Sequence, residues 1–125
     1  MSLPPPSALG NDAENKALAF LQDRGLKLLA RNWKTRFGEI DLVMAEGGIV
    51  VFVEVRKRSR QDFGGARQSV GWQKRRRLIA TARAYLAQRR ESRPCRFDCV
   101  FIEGREEKIS WVRNAFDETS YGCAT

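Results

Sequence analysis

An α/β fold, one mixed β-sheet covered by helices, is what this sequence predicts, and three observations carry the expectation. Apolar residues recur at helical spacing over residues 11–24 and 72–90. Five short runs alternate or stay apolar as strands do, and "EGG" links two of them with the turn chemistry of a tight hairpin. The resulting order, αβββαββ, requires sheet and helices to share a core.

The elements follow in turn. "SLPPPSALG" has few donors and little apolar surface, so residues 1–10 read as a flexible tail. In the first helix Ala13, Ala17, Leu18, Phe20 and Leu21 form the buried stripe, and Gly25 stands where a C-terminal cap belongs. "LKLLARNW", "EIDLVMA" and "GIVVFVEVR" supply three strands, and "KRSRQDFGGARQSVG" is a polar loop. The second helix carries Leu78, Ile79, Ala82, Tyr85 and Leu86 on one stripe, with most of its arginines elsewhere. "CRFDCVFIE" and "KISWV" complete the sheet, so residues 11–112 form one domain and 113–125 a C-terminal tail. At 125 residues a domain buries roughly two-thirds of the surface its unfolded chain exposes, and needs no disulfide or metal to fold.

Charge narrows the partners. Lys and Arg number 23 against 15 Asp and Glu, with no His, giving a formal +8. Such a balance favours polyanions, nucleic acid first and anionic membrane second. Cys95, Cys99 and Cys123 are odd in number and lack the spacing of a zinc site or disulfide framework. No apolar run approaches the roughly 18 residues of a membrane span, and the N-terminus lacks the features of a signal peptide. The expectation is a soluble, cytoplasmic protein with no membrane association.

Asp41 and Glu54 are carboxylates lodged among apolar strand residues. A two-residue turn, Glu46-Gly47 or Gly47-Gly48, sorts the hairpin into two faces. Ile40, Leu42, Met44, Val51, Val53 and Val55 fall on one; Glu39, Asp41, Val43, Val50, Phe52, Glu54 and Arg56 fall on the other. With Gly47-Gly48 as the turn, Asp41 lies opposite Glu54; with Glu46-Gly47, Glu39 does. Paired carboxylates so close call for a proton or a cation. A hard divalent ion needs only one or two of them, with water and phosphate oxygens completing its shell. An amphipathic hairpin whose acidic residues face water accounts for the same pattern.

Glu14 falls on the inward stripe of the first helix and is a third candidate. Asn11 with Glu14 three residues later also matches a capping box. Basic residues gather elsewhere: the segment from Arg56 to Arg96 holds 14 Lys and Arg against two acids, Asp62 and Glu91. Phe63 and Trp72 are interspersed, as suits phosphate contacts along a polynucleotide, although a solvated basic helix face would look similar.

"ARNWKTRFGEIDLVM", "VVFVEVRKRS", "QKRRRLIATARAYL" and "RFDCVFI", in that order over residues 12–105, resemble the small bacterial YraN-like family. That family is predicted to belong to the PD-(D/E)xK nuclease superfamily and is similar to archaeal Holliday junction resolvases. The resemblance implies a restriction-endonuclease-like core and a Mg²⁺- or Mn²⁺-dependent endonuclease acting on DNA, branched forms included. It implies metal ligation by Asp41, Glu54 and Glu14, with Arg56 and Lys74 at the reacting phosphate. Nucleic acid would be held by Arg56, Lys57, Arg58, Arg60, Arg67, Gln73, Lys74, Arg75, Arg76 and Arg77. A homodimer would match the symmetry of a junction. Arg56 stands where the superfamily has the lysine of E-x-K. Arginine stays protonated, so a binding module on the same fold without turnover is the alternative.

Overall fold

The strand Ile49–Arg58 is apolar from Ile49 to Val53 because it runs through the middle of the sheet with both faces covered. The computed structural model describes residues 12–58 and 72–116. Helix α1 spans Asp12–Asp23, followed by β1 (Lys27–Thr35), β2 (Gly38–Glu46) and β3 (Ile49–Arg58). Helix α2 (Trp72–Gln88) then leads to β4 (Cys95–Glu103) and β5 (Lys108–Phe116). The strands lie in sequence order, with β3 and β4 parallel and the other neighbours antiparallel. Parallel neighbours need a long crossover, and α2 lies within that connection. The mixed sheet and the order αβββαββ are as the sequence predicts.

Each face of the sheet has its own helix. Ala17 and Leu21 of α1 pack on Leu42, Met44, Val51, Val53, Val100 and Ile102. On the opposite face Leu78, Ile79, Ala82 and Tyr85 of α2 pack on Val43, Val50, Phe52, Phe97, Cys99 and Phe101. Fully burying side chains of this size contributes roughly 1.5–3 kcal/mol each. The stripes expected of both helices are therefore the ones that are buried. Gly25 ends α1 at φ 95°, with Leu26 N–H donating to Leu21 C=O and Gly25 N–H to Gln22 C=O. Both bonds belong to a Schellman cap.

The hairpin turn is Gly47-Gly48, since Glu46 pairs with Ile49 and Leu42 with Val53. Two expectations need correction. Ile40 joins the α2 face, away from Leu42 and Met44. The β2–β3 ladder ends at Leu42, and the facing β1 residue Asn32 has φ 49°, so strict alternation does not extend past Asp41. Secondly, residues 113–116 are not tail but strand. A register shift opposite Phe97 and Cys99 lets β5 continue to Phe116, with Asn114 at φ 52°.

Asp98 supports that irregularity. Its buried carboxylate accepts from Arg96, from the Trp111 indole at 2.9 Å and from the Asn114 N–H at 2.9 Å. The expected leader at residues 1–10, Asn11 as a cap, the loop at 59–71 and residues 117–125 lie outside the described residues.

Candidate active site

The site begins where β2 and β3 stop pairing. Continuing their register beyond Leu42 and Val53 would set Asp41 opposite Glu54. Asp41 Oδ2 instead accepts a hydrogen bond from the Val55 N–H at 2.8 Å. A partly buried backbone donor needs an acceptor, and here a carboxylate supplies what a neighbouring strand would otherwise provide. Asp41 thus closes the fork with its own side chain.

Glu54 is buried on β3, and two cations approach the same oxygen. Its Oε2 lies 2.6 Å from Lys74 Nζ, which reaches across from the first turn of α2, and 3.2 Å from Arg56 Nε. Arg56 Nε is buried and makes no directed hydrogen bond. The separation is that of an ion pair, but the N–H is not aimed at the carboxylate. Charge proximity is present while a donor remains unused.

The two carboxyl groups share a cleft of about 310 Å³ with Arg56, Lys74, Arg77 and Leu78. Burial is the largest influence on Asp41, pushing its carboxyl up to about 7. The negative charge of Glu54, a hydrogen bond shared with it and the more distant charge of Glu14 act in the same direction, while the Val55 N–H opposes them. Bringing two carboxylates together in a partly desolvated cleft is unfavourable unless a proton or cation intervenes.

Glu14 is buried as its position predicts, but it does not join them. Its Oε1 accepts from Arg31 Nε and Nη2, at 3.1 and 2.8 Å, and from Asn32 Nδ2 at 3.0 Å. Among the described residues no three His, Cys, Asp or Glu side chains gather so as to hold a metal ion. Of the three expected carboxylates the structure brings Asp41 and Glu54 into one cleft, while Glu14 is held by Arg31 and Asn32 of β1.

The basic residues divide. Lys57 points away from Arg56 and pairs with Glu107 at 3.7 Å, so it is withdrawn from the cleft. Arg58 follows Arg56 in the alternation of β3. Arg75 lies over the Phe116 ring, 5.4 Å from its centroid. Gln73, Arg76 and Arg77 line a second cavity beside the first. Arg60 and Arg67, with Phe63 and the Trp72 side chain, lie outside the described residues. Sequence reasoning overlooked Arg31 and Asn32, whose only signal was the polar pair inside a first strand. It also overlooked Phe37, an aromatic residue in a turn.

Fold and cleft together define a small α/β protein whose mixed sheet carries an acidic pair bracketed by cations. The chain belongs to the Uncharacterised protein family UPF0102, whose model matches residues 13–102, and the YraN-like resemblance is borne out. A UPF0102 protein of Nitrosomonas europaea, NE0719, is 58% identical over 111 residues, covering 88% of this chain and 94% of that one. Pfl01_4685, from Pseudomonas fluorescens, is 50% identical over 86% of this chain and 92% of its own length. Among solved structures, a repair endonuclease from Pyrococcus abyssi matches with TM-score 0.42 and 19% identity. That match covers 86% of this chain, which spans only 42% of the endonuclease chain. No helix among the described residues is long and apolar enough to cross a membrane.

Proposed function

We propose that this protein is a divalent-metal-dependent endonuclease that hydrolyses phosphodiester bonds in DNA, branched forms included. One observation carries the reading: Asp41 and Glu54 meet in a cleft lined also by Arg56 and Lys74, with Lys74 Nζ 2.6 Å from Glu54 Oε2.

The donor set suits Mg²⁺ or Mn²⁺. Asp41 and Glu54 are hard oxygen ligands, burial keeps the neighbouring Cys99 thiol protonated, and such ions complete their shells with water and phosphate. Asp41 and Glu54 would hold the ion. When bound, it would lower the pKa of a water and neutralise charge gathering on the phosphate.

The chain's own residues supply the rest. Arg56 lines the cleft, and its guanidinium would meet a non-bridging phosphate oxygen and stabilise charge there. It cannot act as a base, because its guanidinium stays protonated. Lys74 brings an amine to the cleft, which β3 does not, since its Lys57 is paired with Glu107. Entry of a phosphate would give it a second anion to pair with beside Glu54.

The test is cleavage of duplex and branched DNA with Mg²⁺ or Mn²⁺ by wild type, Asp41→Asn and Glu54→Gln. Each variant is expected to lose roughly 100- to 1,000-fold in rate, the scale on which single electrostatic groups act. Equal cutting by all three proteins would sink the proposal. A second reading, binding without turnover, draws on Arg56 occupying the motif position. Salt-sensitive binding with no cleavage, and cleavage gained in Arg56→Lys, would favour it.

A further inference from the structure

The turn between β1 and β2 carries an aromatic side chain to the edge of the cleft. Phe37 is 41% exposed, whereas the other described aromatic side chains are buried in the core or packed against it. The turn is not loosely held. Phe37 N–H donates to Thr35 Oγ1 at 3.0 Å, and the Arg36 guanidinium stands 5.0 Å from the ring centroid. Gly38 takes φ 154°, a backbone conformation that side-chain-bearing residues rarely adopt, and sits beside Thr81 and Arg77 of α2. Thr81 is fully buried and donates to Arg77 C=O at 2.7 Å, so the surface beneath the turn is fixed.

The result is a second cavity of about 350 Å³, bounded by Phe37, Gln73, Arg76, Arg77 and Ala80. Its size falls in the range of small-ligand pockets, roughly 300–1,000 Å³. Arg77 belongs to both cavities, so the aromatic compartment continues directly from the one holding Asp41 and Glu54. An exposed ring flanked by guanidinium groups fits a nucleobase: the ring and guanidinium planes accept a π-face, and the cations balance the adjoining phosphates. A base held within a duplex stack cannot present that face, whereas an unpaired base can.

We propose that the Phe37 compartment is a stacking subsite for an unpaired nucleobase next to the phosphodiester held at Asp41 and Glu54. The inference rests on the nucleic-acid reading above and sharpens it. The preferred substrate has a strand displaced from pairing at that nucleotide, as in a single strand, a flap or a branch. Duplex with every base stacked leaves the compartment empty. Phe37 is a specificity residue and takes no part in bond cleavage.

Binding without metal tests this independently of turnover. Wild type, Phe37→Ala and Phe37→Trp are titrated with a single-stranded DNA, the RNA of the same sequence and a fully paired duplex, using fluorescence anisotropy. A 2-aminopurine in the single strand reports stacking. Phe37→Ala is expected to lose roughly 5- to 150-fold in affinity for the single strand, the range for removing one base–aromatic stack. Duplex affinity should hold, Phe37→Trp should retain single-strand binding, and 2-aminopurine quenching should disappear only in the alanine variant. The DNA and RNA arms show which strand is the natural occupant. Equal loss on every ligand, no loss on any, or quenching that persists in Phe37→Ala would overturn the subsite while leaving the nucleic-acid reading intact. Failure of wild type to bind any of the three would remove that reading and the subsite with it.

Discussion

Lys74 Nζ lies 2.6 Å from Glu54 Oε2, so α2 delivers an amine to a carboxylate whose own strand carries Arg56 two residues on. The pairing joins β3 to the helix that follows it in the chain. The Lys74 side chain is 44% exposed while Glu54 is buried, which leaves the lysine able to exchange one anion for another.

Replacing Lys74 with Gln should therefore affect substrate more than stability. Lys74 is partly exposed and Arg56 stays beside the buried Glu54, so the cost to folding should be modest. Loss of one phosphate contact should lower the slope of log affinity against log salt by about one for duplex DNA. Affinity measured between low and moderate salt checks this, and an unchanged slope would place Lys74 away from phosphate.

Asp41 makes stability depend on pH. Its carboxyl is raised from 3.8 to about 7, chiefly by burial. Between those values the folded chain binds more protons than the unfolded one. Stability is then greatest below the lower value and falls as pH rises through the upper. Asp41→Asn keeps an acceptor for the Val55 N–H but removes the charge. Without metal it should be more stable than wild type at pH 8, by about 1–3 kcal/mol, and should nearly match it at pH 4. Urea denaturation at both pH values tests the sign; a constant difference between the two proteins would contradict it.

Glu14 should behave as a structural residue. Truncation to Ala leaves Arg31 and Asn32 facing a buried void, at an expected cost of about 2–4 kcal/mol. Calorimetric Mn²⁺ affinity of the folded variant should match wild type, whereas Glu54→Gln should weaken it. Equal weakening by both would return Glu14 to the ligand set.

Asp98 is the corresponding support at the other edge. Asp98→Ala strands the Trp111 indole and the Asn114 N–H and leaves Arg96 with Glu46 alone, and should cost about 3–5 kcal/mol. A red shift of tryptophan emission with unchanged cleavage per folded molecule is the expected signature.

How much of this was legible beforehand differs by residue. The Gly47-Gly48 turn fixed one of two registers for the hairpin, and both placed Asp41 on the face of Glu54 or beside it. Local alternation could not show that Ile40 crosses to the other face, because the cause lies in the ladder's end and in the backbone of Asn32 on a neighbouring strand. The last turn of β5 was hidden likewise: "RNAF" is a weak strand signal, and Asp98, a residue sixteen positions earlier, holds its bulge. Glu14 was correctly placed inward by spacing, yet spacing says nothing of the partners awaiting it on β1. Lys74 was reachable by helical geometry because it sits one turn before Leu78.

The parallel pairing of β3 with β4 has a kinetic consequence. Asp41 and Glu54 come together through a local hairpin, the kind of contact a chain makes early, whereas Lys74 and Arg77 take their places only when α2 has bridged the two parallel strands. Closing that non-local connection is the slow part of building such a sheet. Competence to act on substrate should accordingly lag behind the first recovery of secondary structure and follow the last refolding phase. Premature half-assembled chains would then carry the acidic pair without the cations that let a polyanion approach it.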